Sequence, residues 1–169
     1  MEIAKWDWDL RVTSSDFKGI ILSGQRIEGN YEEALSAAQT AYREFYSYLT
    51  SINELFAQEY GLLSNELPQI EDRDIAVSIP TSTSWVKGFI SYSVGCMFGR
   101  FSLDVQGITY AGGEWDAHKY MRFQPDHDTI IPICDDEYFE DDIVGRFVEF
   151  VEVVYGKTML EENLRFIAD

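Results

Sequence analysis

The chain has 169 residues, of which 13 are basic and 30 acidic, for a formal net charge of −17. A length of this order suggests one domain with room for a helical extension. A hydrophobic fraction of 46% and an aromatic fraction of 15% can build a core, which excludes disorder for most of the chain. The charge argues against a segment that grips nucleic acid by itself, because phosphate binding relies on clustered Lys and Arg. It fits solubility, a basic partner or sister domain, or imitation of a phosphate backbone. No apolar run reaches the roughly 18 residues of a membrane span. The opening MEIAKWDWDL lacks the basic and apolar regions of a secretion signal, so the protein is expected in the cytoplasm. Cys96 and Cys134 each sit among apolar neighbours and have no partners at metal spacing. They read as two reduced, buried thiols.

In chain order, WDWDL at residues 6–10 could form a short strand or an extended arm. Trp6 and Trp8 lie close enough to the start to dock on something, either this chain's own helices or a neighbouring domain. They are therefore the candidate interdomain contacts, and exposed they would form an apolar patch. Residues 31–60 run without Gly or Pro as far as Gly61. Asn30 is the expected N-cap, Glu32 and Glu33 suit the first turn, and Gly61 suits the C-cap. Leu35, Ala38, Tyr42, Phe45, Leu49, Ile52 and Phe56 form one apolar stripe on a predicted helix about 45 Å long, at ~1.5 Å per residue. Such a helix exceeds what a small globule needs and reads as a spacer or one arm of a helical pair.

Residues 62–81 are a connector with Pro68, an acidic patch and a strand-like IAVSI. Residues 82–101 are predicted helical, capped by Ser82 or Ser84 and buried by Trp85, Phe89, Tyr92, Val94, Met97 and Phe98. Gly88, Gly95 and Gly99 each cost about 1 kcal/mol relative to Ala in a helix, which implies close approach of another backbone. GITYAGG and TIIPI are the best strand candidates in residues 102–134. The acidic run Asp135–Asp142 then precedes the helical IVGRFVEFVEVVYG, where acids suit a helix start. A last helix is expected over residues 158–168, with Thr158 as cap and Leu160, Leu164 and Ile167 inward. The chain stops at Asp169 without a helix-ending signal, as a segment of a longer protein would. The predicted class is α+β, mostly helical. Residues 1–61 form an N-terminal arm and long spacer helix. Residues 62–169 form a compact α+β body with a few short strands, within a single structural unit.

The chemistry of known catalytic motifs is missing. There is no G-x-G-x-x-G, no phosphate loop, no H-E-x-x-H and no G-x-S-x-G. An amino-methyltransferase needs a glycine-rich cofactor loop and an N-P-P-[YF]-type pocket for the flipped base, and neither is present. His127 between Asp126 and Asp128 suggests a metal or acid–base site but reads more simply as a solvated turn. Glu114, Asp116 and Lys119 lack the acid-x-Lys spacing of a magnesium nuclease. The run from Asp135 lacks the calcium-loop pattern. No catalytic, cofactor or metal residue is therefore assigned.

The strings FISYSVGCMFGRFSLDVQGITYAGGEWD (89–116), IIPICDDEYFEDDIVGRFVEFV (130–151) and TMLEENLRFIAD (158–169) resemble the middle portion of PglX-type adenine-specific DNA methyltransferases of BREX phage-defence systems. These in turn resemble large type II restriction-modification methylases with fused recognition regions. WDWDLRVTSSDF resembles a stretch that follows the catalytic domain there. In this chain Ser15 is followed directly by Asp16, where that family usually reads Trp-Asp-Phe. The resemblance implies a parent that transfers a methyl group from S-adenosylmethionine to adenine N6 in DNA. It implies a non-catalytic place for this segment, between the methyltransferase and target-recognition domains. DNA would be reached through the parent, and Arg100, Lys119 and Arg122 are the candidate contacts. Two rivals remain: a free-standing acidic mimic of DNA, and a small adaptor in a defence complex.

Overall fold

The computed structural model describes residues 2–62, 67–134 and 142–169. Among the described residues five α-helices carry the fold: α1 (Glu2–Asp9), α2 (Ile27–Tyr60), α3 (Ser82–Met97), α4 (Ile143–Tyr155) and α5 (Leu160–Ala168). α3 packs on α4, α4 on α5, α5 on the beginning of α2, and α1 on α2. The architecture is mainly helical.

The core is aromatic. Phe150 of α4 is fully buried and meets Phe89, Tyr92 and Phe123 edge-on at 5.9, 6.3 and 5.2 Å between ring centres. Phe17, from the loop after α1, enters the same cluster against Tyr92 and Phe101. Offset and edge-on packing suits the ring quadrupoles and fills space densely. Cys96 lies inside this cluster, where burial pushes its thiol up to about 12. The thiol stays protonated and inert at neutral pH.

α2 has 34 residues and is about 51 Å long at ~1.5 Å per residue. It begins earlier than the expected cap at Asn30. Arg26 holds the cap position and makes no side-chain cap bond. The cap comes instead from α5, where the Asn163 side-chain oxygen accepts the Ile27 amide at 2.9 Å and its Nδ2 donates to the Gln25 carbonyl at 3.0 Å. Asn30 is buried rather than capping. It accepts from the Tyr155 hydroxyl at 2.6 Å and donates to the Ser23 carbonyl at 2.7 Å. These two asparagines satisfy polar groups that burial would otherwise leave unpaired, and so fix the start of α2 to α4 and α5. Gly61, at φ 63°, caps the other end as expected.

The expected short strands are absent among the described residues. WDWD is helical, and Asp7 is buried there, accepting the Ser78 amide at 2.9 Å and pairing with Arg11. That contact explains IAVSI. Ile75 and Val77 point inward with strand-like alternation, but a carboxylate rather than a neighbouring strand receives the backbone. In GITYAGG the backbone turns at Gly112 and Gly113, and the Thr109 amide donates to Arg100. TIIPI opens in a turn, where Asp126 and Asp128 accept the Ile130 amide.

α3 ends at Met97, and Thr81 caps it in a reciprocal pair with Ser84, one residue before the expected Ser82. Phe98 is 40% exposed, outside the core assigned to it by periodicity. The glycines at 88, 95 and 99 do not mark close approach of a second backbone. A Cβ at Gly95 would run into the Phe101 ring, and Gly88 faces open space. Gly99 has φ 73° and leaves room for Trp115. Asp142 caps α4 by accepting the Gly145 amide at 2.6 Å. The rest of the acidic run, 135–141, lies outside the described residues. Thr158 sits in a 3-10 turn instead of capping α5, while Leu160, Leu164 and Ile167 face the core as their spacing requires.

Candidate functional site

The loop from Gly99 to Asp126 leaves α3 and locks onto itself. The Tyr120 hydroxyl donates to the Gly99 carbonyl, Ser102 Oγ donates to the Lys119 carbonyl, and the Asp104 carboxylate accepts the Met121 and Arg122 amides at 2.6 and 3.0 Å. The Asp126 amide returns to the Met97 carbonyl at 2.8 Å, closing the loop against the end of α3. Arg100, Lys119 and Arg122 all ride on this body and are exposed. None of the three forms an ion pair among the described residues.

Their heads are partly engaged already. The Arg100 guanidinium lies 5.5 Å from the centre of the Phe101 ring, and Arg122 Nη1 donates to the Leu103 carbonyl at 3.3 Å. Asp104 sits beside Arg122, and Glu114 and Asp116 share the loop with Lys119. This is a mixed rim, able to touch a backbone phosphate at single points but too acidic to form a cradle.

The same loop holds a feature that spacing did not reveal. Trp115 stacks flat on buried Tyr120 at 4.6 Å and 5°, with Tyr110 edge-on at 5.2 Å, yet it is 51% exposed. The glycines before it and the aromatic at Tyr120 were the available signal.

At the other end of the molecule, Trp6 is half-buried beside α2. It lines a cavity of about 550 Å³ shared by α1, residues 19–21, α2 and the start of α3. Trp8 points outward at 55% exposure with the Arg11 guanidinium 5.1 Å from its ring. Lys5 ties α1 to the following turn through Asp9 and Asp16. The hydrogen bond with Lys5 holds the Asp16 carboxyl below its ordinary value, and the bonds to Asp16 and Asp9 raise Lys5.

Asp126, His127 and Asp128 bring potential ligand atoms within 4.8 Å of one another. The carboxylates already serve the turn: Asp126 accepts the Asp128 and Ile130 amides, and Thr129 takes φ 61°. Desolvation raises the Asp126 carboxyl, but hydrogen bonds to Asp128 and to the turn amides outweigh it and hold the group below its usual value. The geometry is that of an exposed Asx turn.

Two curated relatives decide the lineage. The chain is 39% identical over 145 residues, 85% of its length, to the adenine-specific methyltransferase PglX of Lacticaseibacillus casei (strain Zhang). It is 33% identical along its whole length to the adenine-specific methyltransferase BrxX of Escherichia coli O9:H4 (strain HS). The chain is related to the PglX-type adenine-specific methyltransferases. It spans 12% of the length of the PglX relative and 16% of the BrxX relative, so the relation is to one segment of each. No family model matches the chain. No helix among the described residues is long and apolar enough to cross a membrane.

Proposed function

We propose that this chain is a non-catalytic spacer or recognition-adjacent segment of a DNA adenine-N6 methyltransferase in a restriction-modification or BREX phage-defence system. The observation that carries the reading is the 39% identity over 145 residues to a PglX methyltransferase, in a stretch without a glycine-rich cofactor loop or an N-P-P-[YF] pocket. A long helix anchored at one end supports it, because such an element sets a distance between what lies on either side of it. In this reading S-adenosylmethionine is bound by the parent's methyltransferase domain, in the cytoplasm. DNA reaches this segment only through the parent. Arg100, Lys119 and Arg122 give point contacts to its backbone, and Trp6 and Trp8 face a neighbouring methyltransferase or target-recognition domain.

The test is to sequence the source locus on both sides of the coding segment. A continuous frame encoding a glycine-rich loop and N-P-P-[YF] is the expected result. A stop codon after Asp169 and a native start at Met1 would overturn it. The net charge of −17 favours a second reading, an acidic mimic that occupies a basic DNA groove of a defence enzyme. Adding the purified chain to a PglX-type methyltransferase separates the two. Inhibition relieved by excess DNA supports the mimic, and unchanged methylation supports the spacer.

A further inference from the structure

The far half of α2 carries a seam on which nothing packs among the described residues. Tyr48, Ile52 and Leu55 are 60%, 45% and 61% exposed, and Phe56 and Tyr60, stacked on each other, are 56% and 71% exposed. Tyr48, Ile52 and Leu55 follow one another at spacings of four and three, the alternation that seats a second helix by knobs-into-holes packing. Half-buried Phe45 extends the seam toward the anchored end. Large apolar side chains repeated on one face, rather than scattered singly, mark an interaction surface.

Charge selects the occupant. Glu44 stands four residues before Tyr48 and Glu59 four residues after Leu55, so acids bracket the seam at both ends. Neither forms an ion pair among the described residues. The nearby Arg43 spends a hydrogen bond on Thr40 of its own helix, at 3.2 Å. A second copy of this chain fits poorly. Antiparallel pairing centred between Ser51 and Ile52 brings Glu44 of one copy to Glu59 of the other, parallel pairing sets Glu59 against Glu59, and each copy carries −17 overall.

We infer that the seam of α2 between Phe45 and Tyr60 docks an amphipathic helix with an apolar a/d face and Lys or Arg on its flanks. The interface is a two-helix coil whose ends are closed by Glu44 and Glu59. Its chemistry is read from this face alone and does not depend on the methyltransferase reading.

The experiment uses the full 169-residue chain and two synthetic amphipathic helices of about five turns. Both carry Leu and Ile on the a/d face, one with Lys and the other with Glu at the flanks. The lysine peptide is expected to bind at least about tenfold tighter at low salt, with the preference collapsing in molar salt. The double variant Ile52→Asp/Leu55→Asp is expected to lose binding while its circular dichroism and melting temperature stay unchanged, since both side chains are exposed. The double variant Glu44→Lys/Glu59→Lys is expected to reverse the preference toward the glutamate peptide. Equal affinity for both peptides, absence of binding to either, or a peptide-free dimer that Ile52→Asp/Leu55→Asp dissolves would each overturn the assignment.

Discussion

The two halves of α2 share one backbone but live under different rules. Near Ile27 the helix is held by its surroundings: Ile27, Asn30 and Ala38 are buried, and α5 supplies the first cap. Beyond Phe45 Ala57 alone is buried among the described residues and the large side chains Tyr48, Ile52, Leu55, Phe56 and Tyr60 face solvent, so the helix there is held mainly by its own ladder. Tertiary packing, rather than propensity, supplies most helical stability in proteins. The near half is thus part of the core, and the far half is an extension whose apolar face awaits a partner.

The contrast is tested hardest in the core. Phe150→Ala removes the ring at the centre of the aromatic cluster and is expected to cost about 3–5 kcal/mol, read by urea denaturation. Asn163→Ala strips the Ile27 amide and the Gln25 carbonyl of their partners and is expected to cost about 1–3 kcal/mol. A double-mutant cycle with Asn30→Ala should show coupling if the two asparagines act as one clamp. Thr81→Ala deletes the cap of α3 and is expected to cost about 1 kcal/mol. Leu55→Gln, on the far half, is expected to shift stability by no more than about 0.5 kcal/mol. A loss there of the size expected for Phe150→Ala would mean that the far half is packed after all. Native-state amide exchange refines the same contrast. Amides in the first turns of α2 should open only near the global unfolding energy, while those from Phe45 to Tyr60 should open by local fraying.

Helices α2 to α5 were legible in sequence through their own periodicity, whereas α1 was read as a strand or extended arm because WDWDL alternates. The Gly61 stop, the α3 and α4 stretches and the inward set Leu160, Leu164 and Ile167 all depend on neighbours within a turn or two. The strands were misread because alternation reports burial of every second residue, not the presence of a pairing partner. IAVSI buries Ile75 and Val77 and hands its backbone to Asp7, which is 71 residues away from Ser78 in sequence. The start of α2 was misplaced for the same reason, since Asn30 has the composition of a local cap but a remote asparagine fills that role. Of the surfaces singled out, the basic residues at 100, 119 and 122 share one locked loop, which their scattered positions did not announce. The flat stack of Trp115 on Tyr120 likewise depends on how that loop closes.

The bond between Asn163 and the Ile27 amide spans 136 residues. A ribosome makes α2 long before it makes Asn163, so the nascent helix waits through more than a hundred further residues for its first cap. Its opening turn is secured only once α5 has been made, so the long rod is fastened to its base by a contact that closes late and across nearly the whole segment.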